Sequence, residues 1–302
     1  MNTTLLGEMA ALAASVCFTF GPTLFTIAGR QVGSLVTNRM RLLLAALYLF
    51  VFHWIRYGIP YPHMETAPML YMLASGVVGL ALADIFLFES FVLIGPRLTL
   101  LILNLTPTLA TAMAWFILGE HLSLPQLAAI AVVLGGVTWV VLERGEADDT
   151  DQRGQRHNPR GLLYALIAAT VGAVGTLLAK MGMGYGIDAV SAATVRISAG
   201  VTVLWTWTLF SGGLKPTAQA LRAHPKAFGI IAVAALIGPV LGISLVLYAL
   251  KVIPVGIATT LSTLSPILLL PVGYWVFKER ITSRAIVGTV IATAGVIWLL
   301  TL

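Results

Sequence analysis

Charged residues are scarce in this sequence. They make up 10% of the 302 residues, whereas soluble domains carry about 25%. Apolar residues reach 58%, which is more than one soluble core of this length can bury, because much of a globular surface must be wetted. A lipid bilayer accommodates this excess, since it solvates the outward faces of apolar helices. The composition therefore excludes an ordinary soluble domain and predicts a multi-pass membrane protein.

Residues for catalysis and for metal binding are also few. Cys17 is the only cysteine, which excludes an intrachain disulfide and a thiolate metal site. The five histidines fall at or near predicted loops and lack metal-ligand spacing. The apolar runs contain no nucleophile–base arrangement, and the chain has no phosphate-binding glycine loop. We therefore expect no enzyme activity, no metal, no cofactor and no use of ATP.

Ten long apolar runs are present, each about the length of a membrane-crossing helix. We number them spans 1 to 10, at residues 5–28, 36–55, 67–94, 96–118, 124–142, 161–183, 189–210, 227–250, 255–277 and 283–302. The polar segment 143–160 is predicted to be a linker between a first repeat, 1–142, and a second repeat, 161–302. The start of the chain lacks a basic n-region, so a cleaved signal peptide is not expected.

The two halves share distinctive residues at a constant separation of 159. The aligned pairs are Thr106-Pro107 with Ser265-Pro266, Gly79 with Gly238, Glu120 with Glu279, and Trp139 with Trp298. Five spans per half is an odd number, so the second half must enter the membrane from the opposite face. The predicted fold is therefore an all-α membrane protein with ten transmembrane helices, arranged as two inverted five-helix repeats. In transporters of this design the substrate site lies near the bilayer midplane, between the repeats.

Short motifs between residues 88 and 142, and their echo in the second half, carry a family resemblance. They are Ile94-Gly95-Pro96-Arg97, Leu105-Thr106-Pro107, 118–123 and Gly135-Gly136-Val137, echoed by Leu264-Ser265-Pro266, 277–282 and Ala294-Gly295-Val296. Together they resemble the EamA repeat of the drug/metabolite transporter superfamily. The resemblance implies a central cavity open to one side at a time. It also implies export or exchange of small metabolites such as amino acids, by uniport, exchange or proton coupling.

Two acids interrupt span 3. Asp84 lies near its middle, and Glu89 follows five residues later, about 7.5 Å along a helix. A charge at this depth costs several kcal/mol, so each acid should face a cavity, be paired or be protonated. We predict that one binds a cationic group of the substrate or exchanges a proton. The alternative is a neutral hydrogen-bonded acid, or a salt bridge that fixes span 3 to a neighbour.

Arg41 and Arg196 occupy equivalent places in spans 2 and 7. They can attract a carboxylate or pair with the acids of span 3, although snorkelling to the interface is the commoner fate of such side chains. Asn104 and Thr106 precede Pro107, and hydroxyls there either support a kink or contact substrate. Tyr248 is a candidate for stacking on an aromatic substrate, with plain packing as the alternative. The predicted hinges, for which tight packing is the alternative, are Pro107, Pro239, Gly242 and Pro266.

Helix ends carry most of the remaining charge. Glu120 ends span 4 and is expected to satisfy backbone donors at the turn, while Lys180 and Lys251 close spans 6 and 8, where cations suit the negative helix end. Basic residues concentrate in the connections after the odd-numbered spans, which explains the net charge of +6 by membrane orientation rather than nucleic acid. The positive-inside rule then puts both chain ends outside, whereas the family resemblance favours chain ends inside.

The leading hypothesis is a secondary transporter in the plasma membrane, the inner membrane of a bacterium. It would export or exchange small polar, amino-acid-like metabolites by alternating access, with proton coupling as an option. The alternatives are a passive channel or facilitator of the same shape, and a membrane scaffold or sensor without flux. The expected partners are a small-molecule substrate and the lipid bilayer, without nucleic acid, and the expected state is a monomer or homodimer.

Overall fold

The computed structural model describes residues 3–147, 158–268, 270 and 282–302. The core of the predicted linker and much of span 9, including Glu279, lie outside the described residues. Within the described part, nine helices are long and apolar enough to cross a membrane, and a further apolar helix, Val255–Leu268, is shorter. This layout confirms the predicted all-α fold of ten helices in two repeats.

The first repeat begins with two helices joined at Gly33, whose φ of 86° favours glycine. Span 3 starts as an α-helix, passes through one π-helical segment and returns to α-helix; span 4 ends as a separate helix after a break at residues 104–105. In order, the helices are Thr3–Val32, Ser34–Tyr57, Thr66–Gly76, the π segment Val77–Leu82, Ala83–Leu103, Thr106–Leu118 and Leu124–Ala147.

Spans 3 and 4 form a hairpin even though helical backbone extends over Ala83–Leu103. The side-chain oxygens of Ser90 and Thr99 lie 2.7 Å apart. Nine residues of straight helix would separate them by about 13.5 Å, so the chain must turn back between them. The turn therefore lies between Ser90 and Thr99, the interval in which the sequence predicts the boundary between the two spans.

The second repeat starts its helices with side-chain caps. Asn158, Asp188 and Thr282 each accept hydrogen bonds from backbone N–H groups in the first turn that follows. The short helix Leu214–Ala223, which the sequence analysis did not predict, bears Lys215 and Arg222 and joins spans 7 and 8. In order, the helices are Pro159–Met183, Ala189–Phe210, Leu214–Ala223, Pro225–Ala235, the π segment Leu236–Gly242, Ile243–Val252, Val255–Ser262 and Ser283–Leu300.

The irregular points of the backbone recur at the repeat separation. The first π segment begins at Val77 and the second at Leu236, its counterpart in the other repeat. The helix break at residues 104–105 likewise has its counterpart at residues 263–264. Each break directly precedes the Thr106-Pro107 or Ser265-Pro266 pair, where the proline cannot donate a backbone hydrogen bond. The duplication therefore preserves the bends of the helices as well as their number.

The two repeats are intertwined. Span 1 packs mainly against spans 8 and 9 of the second repeat, span 6 packs against spans 3 and 4 of the first, and spans 5 and 10 pack against each other. Glycines set the closest approaches: an added Cβ atom on Gly21 would lie 3.0 Å from the Cα atom of Gly238, and one on Gly175 would lie 2.5 Å from the Cα atom of Gly79. Small residues allow this backbone contact between membrane helices.

Candidate functional site

A cavity of about 380 Å³ lies between the repeats. Its described walls come from spans 1 to 4 and 6 to 9, so each repeat supplies four helices. Most of the wall is apolar, and its charged members are Arg41, Asp84 and Arg196. The lining residues are Phe18, Pro22, Phe25, Arg41, Leu42, Leu80, Asp84, Thr106, Pro107, Thr176, Arg196, Gly238, Pro239, Ile243, Val246, Thr259, Ser262 and Thr263.

Arg41 and Asp84 form an ion pair in the cavity wall. The Nη2 atom of Arg41 donates a hydrogen bond to Oδ2 of Asp84 over 2.6 Å. The pair joins span 2 to span 3, just beyond the π segment Val77–Leu82. Their side chains are 28% and 16% exposed, so the contact is sheltered but not sealed. Mutual neutralisation offsets the cost of placing either charge at this depth.

Arg196 differs from this pair, because it is a buried cation without an ionic partner among the described residues. Only 8% of the residue is exposed, its Nε atom is buried without an acceptor, and it forms no ion pair with any described acid. A Cβ atom added to Gly79 would lie 3.1 Å from the Nη2 atom of Arg196, so the guanidinium rests on bare backbone of span 3. Burial inside the protein contradicts the snorkelling interpretation for this residue.

Hydroxyl groups supply the other polar atoms of the cavity. Thr259 donates to the Val255 carbonyl over 2.7 Å, and Ser262 donates to the Ala258 carbonyl over 2.7 Å. Hydroxyls that donate to their own helix keep lone pairs free to accept from another group. Sequence reasoning missed Thr176, Thr259 and Ser262; the cluster of hydroxyl residues 259–263 in an otherwise apolar span was the available signal.

The structure brings together only part of the predicted site. Thr106, Pro107 and Pro239 line the cavity beside the three charged residues. Glu89 has an exposed side chain and does not line the cavity. Four other predicted residues also lie outside its lining. Asn104 stands at a helix break, where its Nδ2 atom is buried without a partner among the described residues, and Tyr248 is half-buried against apolar neighbours. Gly242 packs against Phe18, and Pro266 follows the second helix break.

A second polar cluster, the Glu120–Lys180 cluster, connects the repeats on the side of the chain ends. The Nζ atom of Lys180 lies 3.0 Å from Oε1 of Glu120 and donates to the Ile253 carbonyl over 2.8 Å. The backbone N–H of Val255 donates to Oε2 of Glu120 over 2.7 Å. Glu120 thus caps a backbone donor, as expected from sequence, but the donor belongs to the other repeat. The cluster joins spans 4 and 6 to the connection between spans 8 and 9.

Two further observations narrow the choice of site. A separate cavity of about 360 Å³ lies between spans 4 and 5. Its described lining includes Thr108, Thr111, Trp115 and Leu127, and none of the described lining residues is charged. Within the described ranges, no group of three or more His, Cys, Asp or Glu side chains is placed to hold a metal ion. The cavity between the repeats therefore holds the best arrangement of groups for binding a polar solute.

Comparison with known proteins agrees with the duplication. The model of the family described as the EamA-like transporter family matches residues 5–142 and again residues 159–301. Among solved structures 29 chains match. One, described only as "Crystal structure of protein", superposes with a TM-score of 0.72 at 17% identity over 99% of this chain and 98% of the other. At that identity the likeness establishes the fold alone. No curated protein matches the sequence.

Proposed function

Because the chain belongs to the EamA-like transporter family, we propose that it is a secondary transporter of small polar, amino-acid-like metabolites. It exports or exchanges them across the plasma membrane by alternating access. The observation that carries this proposal is the cavity between the repeats, with Arg41, Asp84 and Arg196 in its wall. Small-molecule sites are typically apolar clefts with a few well-placed polar groups, and this cavity has that composition.

The lining suggests how a solute is held. Phe18 and Phe25 of span 1, with Ile243 and Val246 of span 8, offer an apolar surface. The charged and hydroxyl side chains offer the polar contacts on other walls. A solute with one apolar part and one polar end fits this division, which supports amino-acid-like metabolites over strongly hydrophilic sugars.

Alternating access is supported by polar contacts between the repeats on both membrane sides. On the side opposite the chain ends, the Nη1 atom of Arg39 donates to the Thr217 hydroxyl over 3.0 Å. The Glu120–Lys180 cluster ties the repeats together on the side of the chain ends. The close glycine contacts, Gly21 with Gly238 and Gly79 with Gly175, lie at the π segments in the middle of spans 3 and 8. We infer that the repeats rock about these contacts. Opening toward the chain ends then requires the cluster to separate.

Asp84 is the proposed site of proton coupling. Its carboxylate lies in the cavity wall and forms an ion pair with Arg41. Binding of a proton to Asp84 would release the Arg41 guanidinium, which changes the charge that the solute meets. Coupling of this kind links the proton gradient to solute binding without a cofactor.

Transport is tested with purified protein in proteoliposomes. A panel of radiolabelled amino acids and related metabolites is assayed for counterflow, with and without a pH gradient. Saturable counterflow supports a carrier, whereas linear uptake without saturation or exchange indicates a channel. No flux of any solute would reject the transport proposal and favour a scaffold or sensor.

Three single substitutions test whether transport depends on the charged residues of the cavity. Asp84→Asn should reduce flux and its dependence on the pH gradient. Glu89→Gln should change neither, because Glu89 lies outside the cavity. Arg56→Gln, at the exposed end of span 2, is a control for removal of a charge elsewhere.

A further inference from the structure

We propose that Arg196 binds an anionic group of the solute, and that the cavity selects solutes carrying one carboxylate that no cation on the solute balances. This inference rests on the proposed transport function and narrows its substrate class. It starts from charge balance. Of the three charged residues in the wall, Arg41 and Asp84 neutralise each other. Arg196 leaves the described cavity with one positive charge.

No described acid is available to neutralise that charge. Glu120 is engaged by Lys180 and by the Val255 backbone. Asp188 caps the helix of span 7. The other acids with described side chains, Glu8, Glu65 and Glu89, do not line the cavity. A buried charge without a partner is strongly disfavoured, so a bound anion stabilises this arrangement more than a neutral or cationic solute can.

The surroundings of Arg196 keep its guanidinium at the cavity. Span 3 approaches span 7 so closely that a Cβ atom on Gly76 would overlap the Arg196 carbonyl oxygen. The guanidinium rests over Gly79, one turn further along span 3, where any side chain would crowd it. Backbone packing on this side leaves the side chain as part of the cavity wall.

A carboxylate is the anion that best matches this donor set. Arginine offers N–H donors in a planar fork that can bind both oxygens of a carboxylate at once. The Nε atom of Arg196 is buried and out of reach of a solute, so the two Nη atoms are the donors that a carboxylate would engage. The apolar walls at Phe18, Phe25 and Val246 then receive the rest of the solute.

The charge balance predicts an order among otherwise similar solutes. An N-acetyl amino acid offers a carboxylate alone, the free amino acid adds an ammonium, and the amino-acid amide carries only the ammonium. We expect binding in that order, strongest first, because the ammonium finds Asp84 already paired with Arg41.

The test measures binding to the purified full chain in detergent. Thermal stabilisation is recorded with N-acetyl-leucine, N-acetyl-phenylalanine, the free amino acids and their amides at millimolar concentration. Arg196→Gln should weaken binding of the N-acetyl compounds about ten- to hundredfold, the usual effect of losing a charge-assisted hydrogen bond. Arg196→Lys should retain part of the affinity, since it keeps the charge but loses the fork. Arg56→Gln should bind as the unaltered protein does.

Several results of these binding measurements would contradict the role of Arg196. Amides that stabilise the protein as well as carboxylates, no stabilisation by any carboxylate, or unchanged affinity in Arg196→Gln would each overturn the inference. Equal stabilisation by chloride or inorganic phosphate would replace the carboxylate by an inorganic anion and would also overturn it.

Two measurements separate this inference from other causes of failure. Without solute, Arg196→Gln should unfold at the same temperature as the unaltered protein or higher, because the removed cation has no ion pair to lose; a clear drop would indicate a structural role instead. In proteoliposomes, counterflow of neutral or cationic solutes without that of carboxylates would keep the transport proposal and reject the role of Arg196. Carboxylate binding without flux of any solute would keep the role of Arg196 and reject the transport proposal.

Discussion

Gly175 in span 6 packs so closely on span 3 that an added Cβ atom would lie 2.5 Å from the Cα atom of Gly79. The counterpart contact joins Gly21 in span 1 to Gly238 in span 8. Both contacts involve a π-helical segment, and both cross from one repeat to the other. The interface between the repeats is thus built at its centre from backbone against backbone.

The contact at Gly175 predicts a sharp effect of one methyl group. Gly175→Ala should lower stability by about 1–3 kcal/mol, the usual cost of overpacking, because the obstructing atoms are backbone and cannot rotate away. The measurement is the thermal unfolding temperature, together with counterflow. Gly135→Ala in span 5 is the matched control, since its Cβ atom would meet nothing within 4 Å. Equal unfolding temperatures for the two variants would contradict this packing.

The ion pair between Arg41 and Asp84 predicts a rescue by double substitution. Asp84→Asn leaves Arg41 without its partner and should lower the free energy of unfolding by about 2–4 kcal/mol. The cost is smaller than for a fully buried pair because both side chains are partly exposed. Arg41→Gln combined with Asp84→Asn removes both charges and should recover most of that loss. A double-mutant cycle on unfolding temperature measures the coupling. Additive losses would show that the two side chains do not interact.

The Glu120–Lys180 cluster predicts a change in access to the cavity. Cys17 is the only cysteine, so Cys17→Ser provides a background for Thr259→Cys as a reporter in the cavity wall. Glu120→Gln should make this cysteine react several-fold faster with a water-soluble maleimide added from the side of the chain ends. Ser123→Ala is the control, because its hydroxyl accepts a hydrogen bond from the backbone N–H of the nearby Gln126 and takes no part in the cluster. An unchanged labelling rate in Glu120→Gln would show that the Glu120–Lys180 cluster does not control access to the cavity.

Membrane orientation follows from the helix Leu214–Ala223, which carries Lys215 and Arg222 and is followed by Lys226. The positive-inside rule assigns this helix to the cytoplasmic side and the chain ends to the outside. In the Cys17→Ser background, an impermeant maleimide should label His63→Cys but not Gln219→Cys in intact cells. Both positions are exposed, and they lie on opposite faces. The reversed labelling pattern would place the chain ends inside.

The positions of glycine and proline made much of the fold predictable. The hinge prolines Pro107 and Pro266 fall directly after the helix breaks. Gly79 and Gly238, which the sequence aligns between the halves, fall where helices approach closely. The short cationic helix Leu214–Ala223 was missed. It has little apolar length, so a search for membrane-crossing runs passes over it.

The site was less predictable than the fold. Sequence showed that Arg41, Arg196 and Asp84 are unusual at their depth, but both arginines stand in equivalent positions and either could pair with the acid. Only the structure assigns the contact to Arg41, whose Nη2 atom lies 2.6 Å from Asp84, although span 7, which carries Arg196, is the one that packs on span 3. Glu89 illustrates the same limit. It follows Asp84 by five residues and lies on another side of the helix, and the sequence does not show which side faces the cavity. The pairing of Glu120 with Lys180 crosses repeats and has no local signature.

The intertwining of the repeats constrains how the chain is made. Span 1 leaves the ribosome first, yet its main partners, spans 8 and 9, begin only at Pro225 and Val255. During most of translation span 1 therefore lies in lipid with its glycine face uncovered, and span 6 finds its partners already inserted. Nascent chains that stop before span 8 should therefore expose the face of span 1 that spans 8 and 9 cover in the complete fold.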